Sequence, residues 1–190
     1  AGRLTQEKGL QTIIDADAAG LLPMDVVVLG DGPMRRALEH EAARPGSRLK
    51  VKGFVGPDEM LAWMKQANAL LMTSLWYEGD PMVVIEAFSV GLPVIAADVG
   101  NTAATVLAEG AGLTFAPGDH TELAAALQSF ADHPEAVDRM RACARNHYLS
   151  THPPEKNYER LMEIYAHALR ATEQPHPEPL EDQLVANRSA

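Results

Sequence analysis

Short apolar runs alternate along this chain with longer segments whose apolar residues recur at helical spacing. Val26, Val27, Val28 and Leu29 form one run, which ends at the turn Gly30-Asp31-Gly32-Pro33 and is followed by a polar, helix-like stretch over 34–43. Residues 50–55 read as a strand with Lys50 and Lys52 on one face. Pro57 and Asp58 then open a helix carrying Met60, Leu61, Met64 and Ala67 at helical spacing. The runs 69–72 and 94–97 are apolar throughout, as strands buried on both faces require. Between them a loop over 76–80 leads into a helix predicted over 81–90, with Asp80 as N-cap and Pro81 in the first turn. A short strand around 113–115 follows, and capping boxes are expected at Asp119 with Glu122 and at Asp132 with Glu135. A last helix gathers Tyr158, Leu161, Met162, Tyr165 and Leu169 on one face.

Strands alternating with helices through short Gly/Pro connections predict an α/β fold, a doubly wound Rossmann-like parallel sheet with flanking helices. Residues 1–172 read as one domain. Residues 173–190, with Pro175, Pro177 and Pro179 among Glu173, Glu178, Glu181 and Asp182, read as a disordered acidic tail. Lys and Arg number 16 against 26 Asp and Glu, a net charge of −10, which argues against a nucleic-acid or anionic-membrane ligand because phosphate backbones need a basic footprint. The one cysteine, Cys143, rules out an internal disulfide, and no apolar run approaches the ~20 residues that span a bilayer.

In a parallel sheet, ligands sit beyond the carboxyl ends of the strands. The loops that open there are 2–9, 30–33, 53–55 and 76–81. The first carries the fixed cations Arg3 and Lys8. The last leads to a helix N-terminus where Pro81 lacks an N–H, so Met82 and Val83 supply the free donors. A guanidinium and an ammonium beside such a terminus suit a pyrophosphate. Glu78 lies in that loop, and Glu86 interrupts an otherwise apolar helix, where a carboxylate needs a partner such as a pair of vicinal hydroxyls. Trp76 and Tyr77 can either stack on a sugar or pack. Asp15-Ala16-Asp17 resembles a metal-binding pair but falls in a helical pattern rather than a post-strand loop, and no metal is expected there. Arg44, Arg48, Lys50 and Lys52 read as a solvated basic face.

Taken together, Gly2-Arg3-Leu4 with Glu7-Lys8-Gly9, Gly30-Asp31-Gly32-Pro33, Gly53-Phe54-Val55, the block from Thr73-Ser74 through Glu78-Gly79-Asp80-Pro81 to Glu86-Ala87-Phe88, and Gly91-Leu92-Pro93-Val94 resemble the C-terminal, donor-binding domain of a family-4 retaining glycosyltransferase of the GT-B fold. The resemblance spans about 2–170. It implies that Arg3 and Lys8 bind the diphosphate of a UDP-, GDP- or ADP-linked sugar, and that the backbone near Val55 meets the nucleobase. Glu86 would hold the ribose hydroxyls, Glu78 would face the sugar, and Gly79, Asp80, Met82 and Val83 would position sugar and phosphate. It implies no metal and no cofactor beyond the nucleotide-sugar substrate. It further implies a cytoplasmic protein working in glycan, lipid or small-molecule glycosylation, with any docking at the inner membrane face left to an N-terminal Rossmann-like domain that holds the acceptor. Two departures stand out. Gly100-Asn101-Thr102-Ala103-Ala104 lacks the acid that often follows a glycine pair there, and only Ala1 stands where the family has a buried strand running into Gly-Arg. The chain is therefore expected to be a fragment that does not catalyse transfer alone. A GT-B-like sugar-nucleotide epimerase and a non-catalytic nucleotide- or glycan-binding module are the alternatives.

Overall fold

The structure, a computed structural model, describes residues 1–79 and 81–172. Asp80, the expected N-cap and site residue, and the expected tail over 173–190 lie outside the described residues. The described residues up to Thr151 form one compact unit, and residues 152–172 belong to another.

In the first unit, β1 (Val26–Leu29) pairs in parallel with β2 (Leu49–Gly53), with Val26 opposite Leu49. β3 (Leu70–Met72), β4 (Val94–Ala97) and β5 (Gly112–Phe115) form a second parallel group, with Ile95 opposite both Leu71 and Leu113. Seven helices flank the strands: α1 (Leu10–Ala18), α2 (Arg35–Ala42), α3 (Pro57–Gln66), α4 (Met82–Ser89), α5 (Gly100–Ala108), α6 (His120–Asp132) and α7 (Pro134–Thr151). The period of two along β4 explains the layering. Ile95 and Ala97 join Ile13 of α1, Leu38 of α2 and Phe130 of α6 in one core, whereas Val94 and Ala96 join Met64 of α3, Phe88 of α4 and Val106 of α5 in the other. A strand with this pattern must be covered by helices on both faces, which is the doubly wound architecture expected.

The two strand groups do not pair with each other. A cavity of about 910 Å³ runs between them, bordered by β1 on one side and β3 on the other, with Ala1, Gly2 and Arg3 also on its wall. Leu71 and Met72 are accordingly only half-buried, unlike the residues of β4, because this slot leaves one flank of β3 uncovered.

Other local expectations shift for identifiable reasons. β2 stops at Gly53, whose φ of 77° turns the chain, so Phe54 and Val55 belong to the following loop. α4 starts at Met82 and Pro81 is its N-cap, with an extended ψ of 122°. Asp119 does cap α6 through the N–H groups of Thr121 and Glu122, but Glu122 accepts from Ala116 N–H instead of closing the box. Asp132 is not a cap. It is the last residue of α6 and accepts from the Gln128 side chain. The basic run is largely paired: Arg44 with Glu41, and Arg48 and Lys50 with Asp25. Lys52 lies over the Trp63 ring.

The loops at the carboxyl ends of the strands are joined backbone to backbone. Gly2 N–H donates to Leu29 O at 2.9 Å, Leu4 N–H to Asp31 O at 2.8 Å, and Gly30 N–H to Gly53 O at 2.7 Å. A 3₁₀ turn over Gln6–Lys8 then ends at Gly9, with φ 65°. A Cβ on Gly9 would lie 1.8 Å from Thr73 O, so this turn reaches the end of β3 only because that position is glycine.

In the second unit, α8 (Pro154–Thr172) exposes Tyr158, Leu161, Met162, Tyr165 and Leu169, the face expected from the sequence. No helix among the described residues is long and apolar enough to cross a membrane.

Two outcomes follow from this framework. Gly9→Ala should destabilise the protein by at least about 2 kcal/mol, from left-handed strain plus backbone collision, and denaturant unfolding with an unchanged midpoint would contradict the packing described. Extending the chain before Ala1 with five residues alternating Val and Ile should raise Tm clearly above that of a Gly/Ser extension of equal length, because the slot offers two open strand edges and apolar walls. Equal Tm values for the two extensions would show that the slot does not take a strand.

Candidate functional site

The carboxyl-end loops bring part of the expected site together. Arg3, Lys8, Glu78, Met82 and Val83 all line the upper part of the slot, next to Thr73 and Ser74. Val55, Gly79 and Glu86 do not line it. Val55 is half-buried in the loop after β2, and Gly79 is exposed just before α4. Glu86 is half-buried on the second turn of α4, and its carboxylate has no hydrogen-bond or ion-pair partner among the described residues. Arg3 is exposed and likewise has no ion-pair partner among them. The N–H groups of Met82 and Val83 have no backbone acceptor among the described residues.

The centre of the site is a contact between residues that are 70 positions apart. Lys8 Nζ donates to Glu78 Oε1 at 2.8 Å, and the Ser74 hydroxyl donates to the same oxygen. The Glu78 side chain keeps 23% of its surface exposed. Burial by itself pushes its pKa up, but the hydrogen bonds from Lys8 and Ser74, with the Lys8 charge, outweigh that and hold the carboxyl below its ordinary value of 4.5. A carboxyl depressed on folding adds stability above its unfolded pKa, and that contribution is lost as pH falls through the depressed value.

Two further contacts tie the Lys8 turn to the residues after β3. The Thr73 hydroxyl donates to Lys8 O at 2.7 Å, and Leu75 N–H donates to Glu7 O at 2.9 Å. On the far side of the loop, the Tyr77 hydroxyl donates to Asn101 Oδ1 at 2.9 Å, and the Tyr77 ring lies against Gly100, where a Cβ would come within 2.9 Å. Tyr77 therefore touches the start of α5 with one side of its ring while, like Trp76, staying largely exposed. Thr73, Ser74, Gly9 and Asn101 were not singled out by role in the sequence. The one available signal was two hydroxyl residues placed directly after an apolar strand.

Asp31, in the glycine-rich turn, is committed to structure. It accepts from Gly32 N–H at 2.7 Å and from Arg35 at 2.9 Å. The backbone hydrogen bond from Gly32, followed by that from Arg35, keeps its carboxyl below the usual range. The two acids of Asp15-Ala16-Asp17 diverge: Asp15 accepts from Gln11, and Asp17 is buried against Ser47 Oγ and Arg48 N–H. A charged edge of this kind, with an ion pair, a cation unpaired among the described residues and a helix start beside it, can take an anion flanked by hydroxyls.

Comparison with known proteins bears on what that anion is. The family model for glycosyl transferases group 1 matches residues 1–147. A glycogen synthase from Mycobacterium tuberculosis (strain ATCC 25618 / H37Rv) is 30% identical over 187 residues, covering 93% of this chain and 44% of the relative. A 2-deoxystreptamine glucosyltransferase from Streptomyces kanamyceticus is 35% identical over 142 residues, covering 72% of this chain and 36% of the relative. This chain thus spans less than half the length of these relatives. Among solved structures, Anabaena Alr3699/HepE in complex with UDP superposes with a TM-score of 0.76 at 22% identity, over 87% of this chain and 48% of that one. The C-terminal domain of a group 1 glycosyl transferase, LpcC from Francisella tularensis, superposes with a TM-score of 0.70 at 19% identity, over 81% of this chain and 84% of that one. The fold is that of the GT-B glycosyltransferases, and the chain belongs to the glycosyl transferases group 1 family.

Proposed function

We propose that this chain is the donor-binding half of a retaining glycosyltransferase that uses a nucleoside-diphospho-sugar and transfers a hexosyl group to a glycan, lipid or small-molecule acceptor held by a second Rossmann-like domain. The observation that carries this reading is the meeting of Lys8 with Glu78 on the wall of the slot, beside Arg3 and the first turn of α4. Among the described residues Arg3 has no ion-pair partner, and the Met82 and Val83 N–H groups of that turn have no backbone acceptor. The length of chain matched in its relatives supports a partner domain, because they are more than twice as long.

In this reading Arg3 and the α4 N–H groups of Met82 and Val83 take the diphosphate, which carries the charge that grows as the sugar departs. Lys8 lies between the diphosphate and Glu78, and so links the leaving group to the carboxylate that meets the sugar hydroxyls. Glu86, half-buried and without a protein partner among the described residues, accepts from the ribose hydroxyls. The backbone at Val55 meets the base, and Gly79 meets the sugar. No metal takes part, because fixed cations and backbone dipoles supply the positive field. The UDP and UDP-glucose bound by the Anabaena protein favour a uridine nucleotide over the guanosine and adenosine alternatives. The family match favours transfer over epimerisation or passive binding.

Calorimetric titration with UDP, GDP and ADP, and with their glucose and mannose conjugates, tests the reading. One nucleotide class should bind. Arg3→Ala and Glu86→Ala should each weaken it by about tenfold or more, the scale of one lost charge-assisted contact. Removing the ribose 2′- and 3′-hydroxyls should abolish the Glu86→Ala effect. Binding that neither variant changes would contradict the proposal, as would a folded protein that binds none of these ligands.

A further inference from the structure

Glu78 has three side-chain torsions and sits on a loop whose tip, Leu75-Trp76-Tyr77, is exposed. Left to itself, such a carboxylate samples many orientations. Here it is held at one oxygen. The Ser74 hydroxyl and the Lys8 ammonium both donate to Oε1, and Oε2 has no protein donor among the described residues. Ser74 is itself 8% exposed and is the second residue after β3, held between Thr73, which donates to Lys8 O, and Leu75, whose N–H donates to Glu7 O. Its neighbour Thr73 does the matching job for the other partner by donating to Lys8 O. Consecutive strand-end hydroxyls thus reach the two halves of the ion pair.

We propose that Ser74 is a positioning residue for Glu78. Its hydroxyl fixes Oε1 from the rigid end of β3 and so leaves Oε2 as the acceptor for a sugar hydroxyl. This deepens the donor-binding reading and rests on it for the identity of the ligand, but not for the arrangement itself. The same geometry separates the roles of the two donors. Lys8 is a mobile cation on a long stem and can turn toward a phosphate when one arrives. Ser74 cannot follow it, because its hydroxyl is one bond from a Cβ anchored at the strand end. When Lys8 divides its hydrogen bonds between phosphate and carboxylate, Ser74 remains the fixed support that keeps Glu78 ionised and aimed.

The test uses the full 190-residue chain, with Ser74→Ala to remove the hydroxyl and Ser74→Thr to restore it. The first readout needs no ligand: the titration of the Glu78 side-chain carboxyl followed by ¹³C NMR, assigned with Glu78→Gln. The midpoint should move up in Ser74→Ala and return toward the wild-type value in Ser74→Thr. An unmoved midpoint in Ser74→Ala overturns the proposal. The second readout is the ratio of affinities for a nucleotide-sugar and its bare nucleoside diphosphate. Ser74→Ala should leave diphosphate affinity within about twofold and lower that for the sugar conjugate about fivefold, the scale of one misplaced hydrogen bond. Equal losses for both ligands would mark Ser74 as merely structural and overturn its positioning role. If wild-type protein binds neither ligand, the donor-binding reading falls, and the carboxyl titration still decides whether Ser74 positions Glu78.

Discussion

The site depends on how closely three loops approach one another through glycine. Gly9 lies against Thr73 O, and Gly30 and Gly32 lie against the backbone of Gly2 and Leu4, at separations where a Cβ would fall 1.8, 1.8 and 2.6 Å from the nearest atom. All three have positive φ, a second reason for glycine at each. This packing delivers the Arg3–Lys8 segment to the carboxyl ends of β1 and β3 together.

From that constraint the electrostatics follow. The chain is acidic as a whole; at this edge Arg3 has no ion-pair partner among the described residues, Lys8 is paired with Glu78, and Glu7 adds a second carboxylate near both cations. A net negative protein binds an anion only where it concentrates cations and free N–H groups, and the start of α4 adds the latter. Most other basic side chains near the sheet are tied to acids: Arg35 to Asp31 and Glu39, Arg44 to Glu41, Lys50 to Asp25. The charges left for a ligand are therefore few and localised.

Much of this was legible in the residues, and what was not has a physical reason. Val94, Ile95, Ala96 and Ala97 could be read as a central strand because a strand buried on both faces must be apolar throughout, and all four are buried. The residue pattern alone carries β2 two residues too far, because apolar character continues through Phe54 and Val55 while the dihedral at Gly53 turns the chain. Asp132 fits the capping pattern, yet it is the last residue of α6, since the pattern records residue types and not where the preceding helix stops. Arg3, Lys8, Glu78 and Glu86 were found as candidate residues from type and loop position. That Lys8 and Glu78 touch, and that Ser74 supports the contact, depends on a fold that brings positions 8, 74 and 78 together, which no local pattern encodes.

The account stands or falls on whether the carboxyl-end loops hold a nucleotide-sugar, and mapping its position on the protein tests that most directly. Amide chemical-shift changes on titration with UDP-glucose should concentrate at Arg3, Lys8, Val55, Glu78, Met82, Val83 and Glu86, on one edge of the sheet. Changes concentrated instead at the amino ends of the strands or along α8, with those seven residues unmoved, would contradict the account.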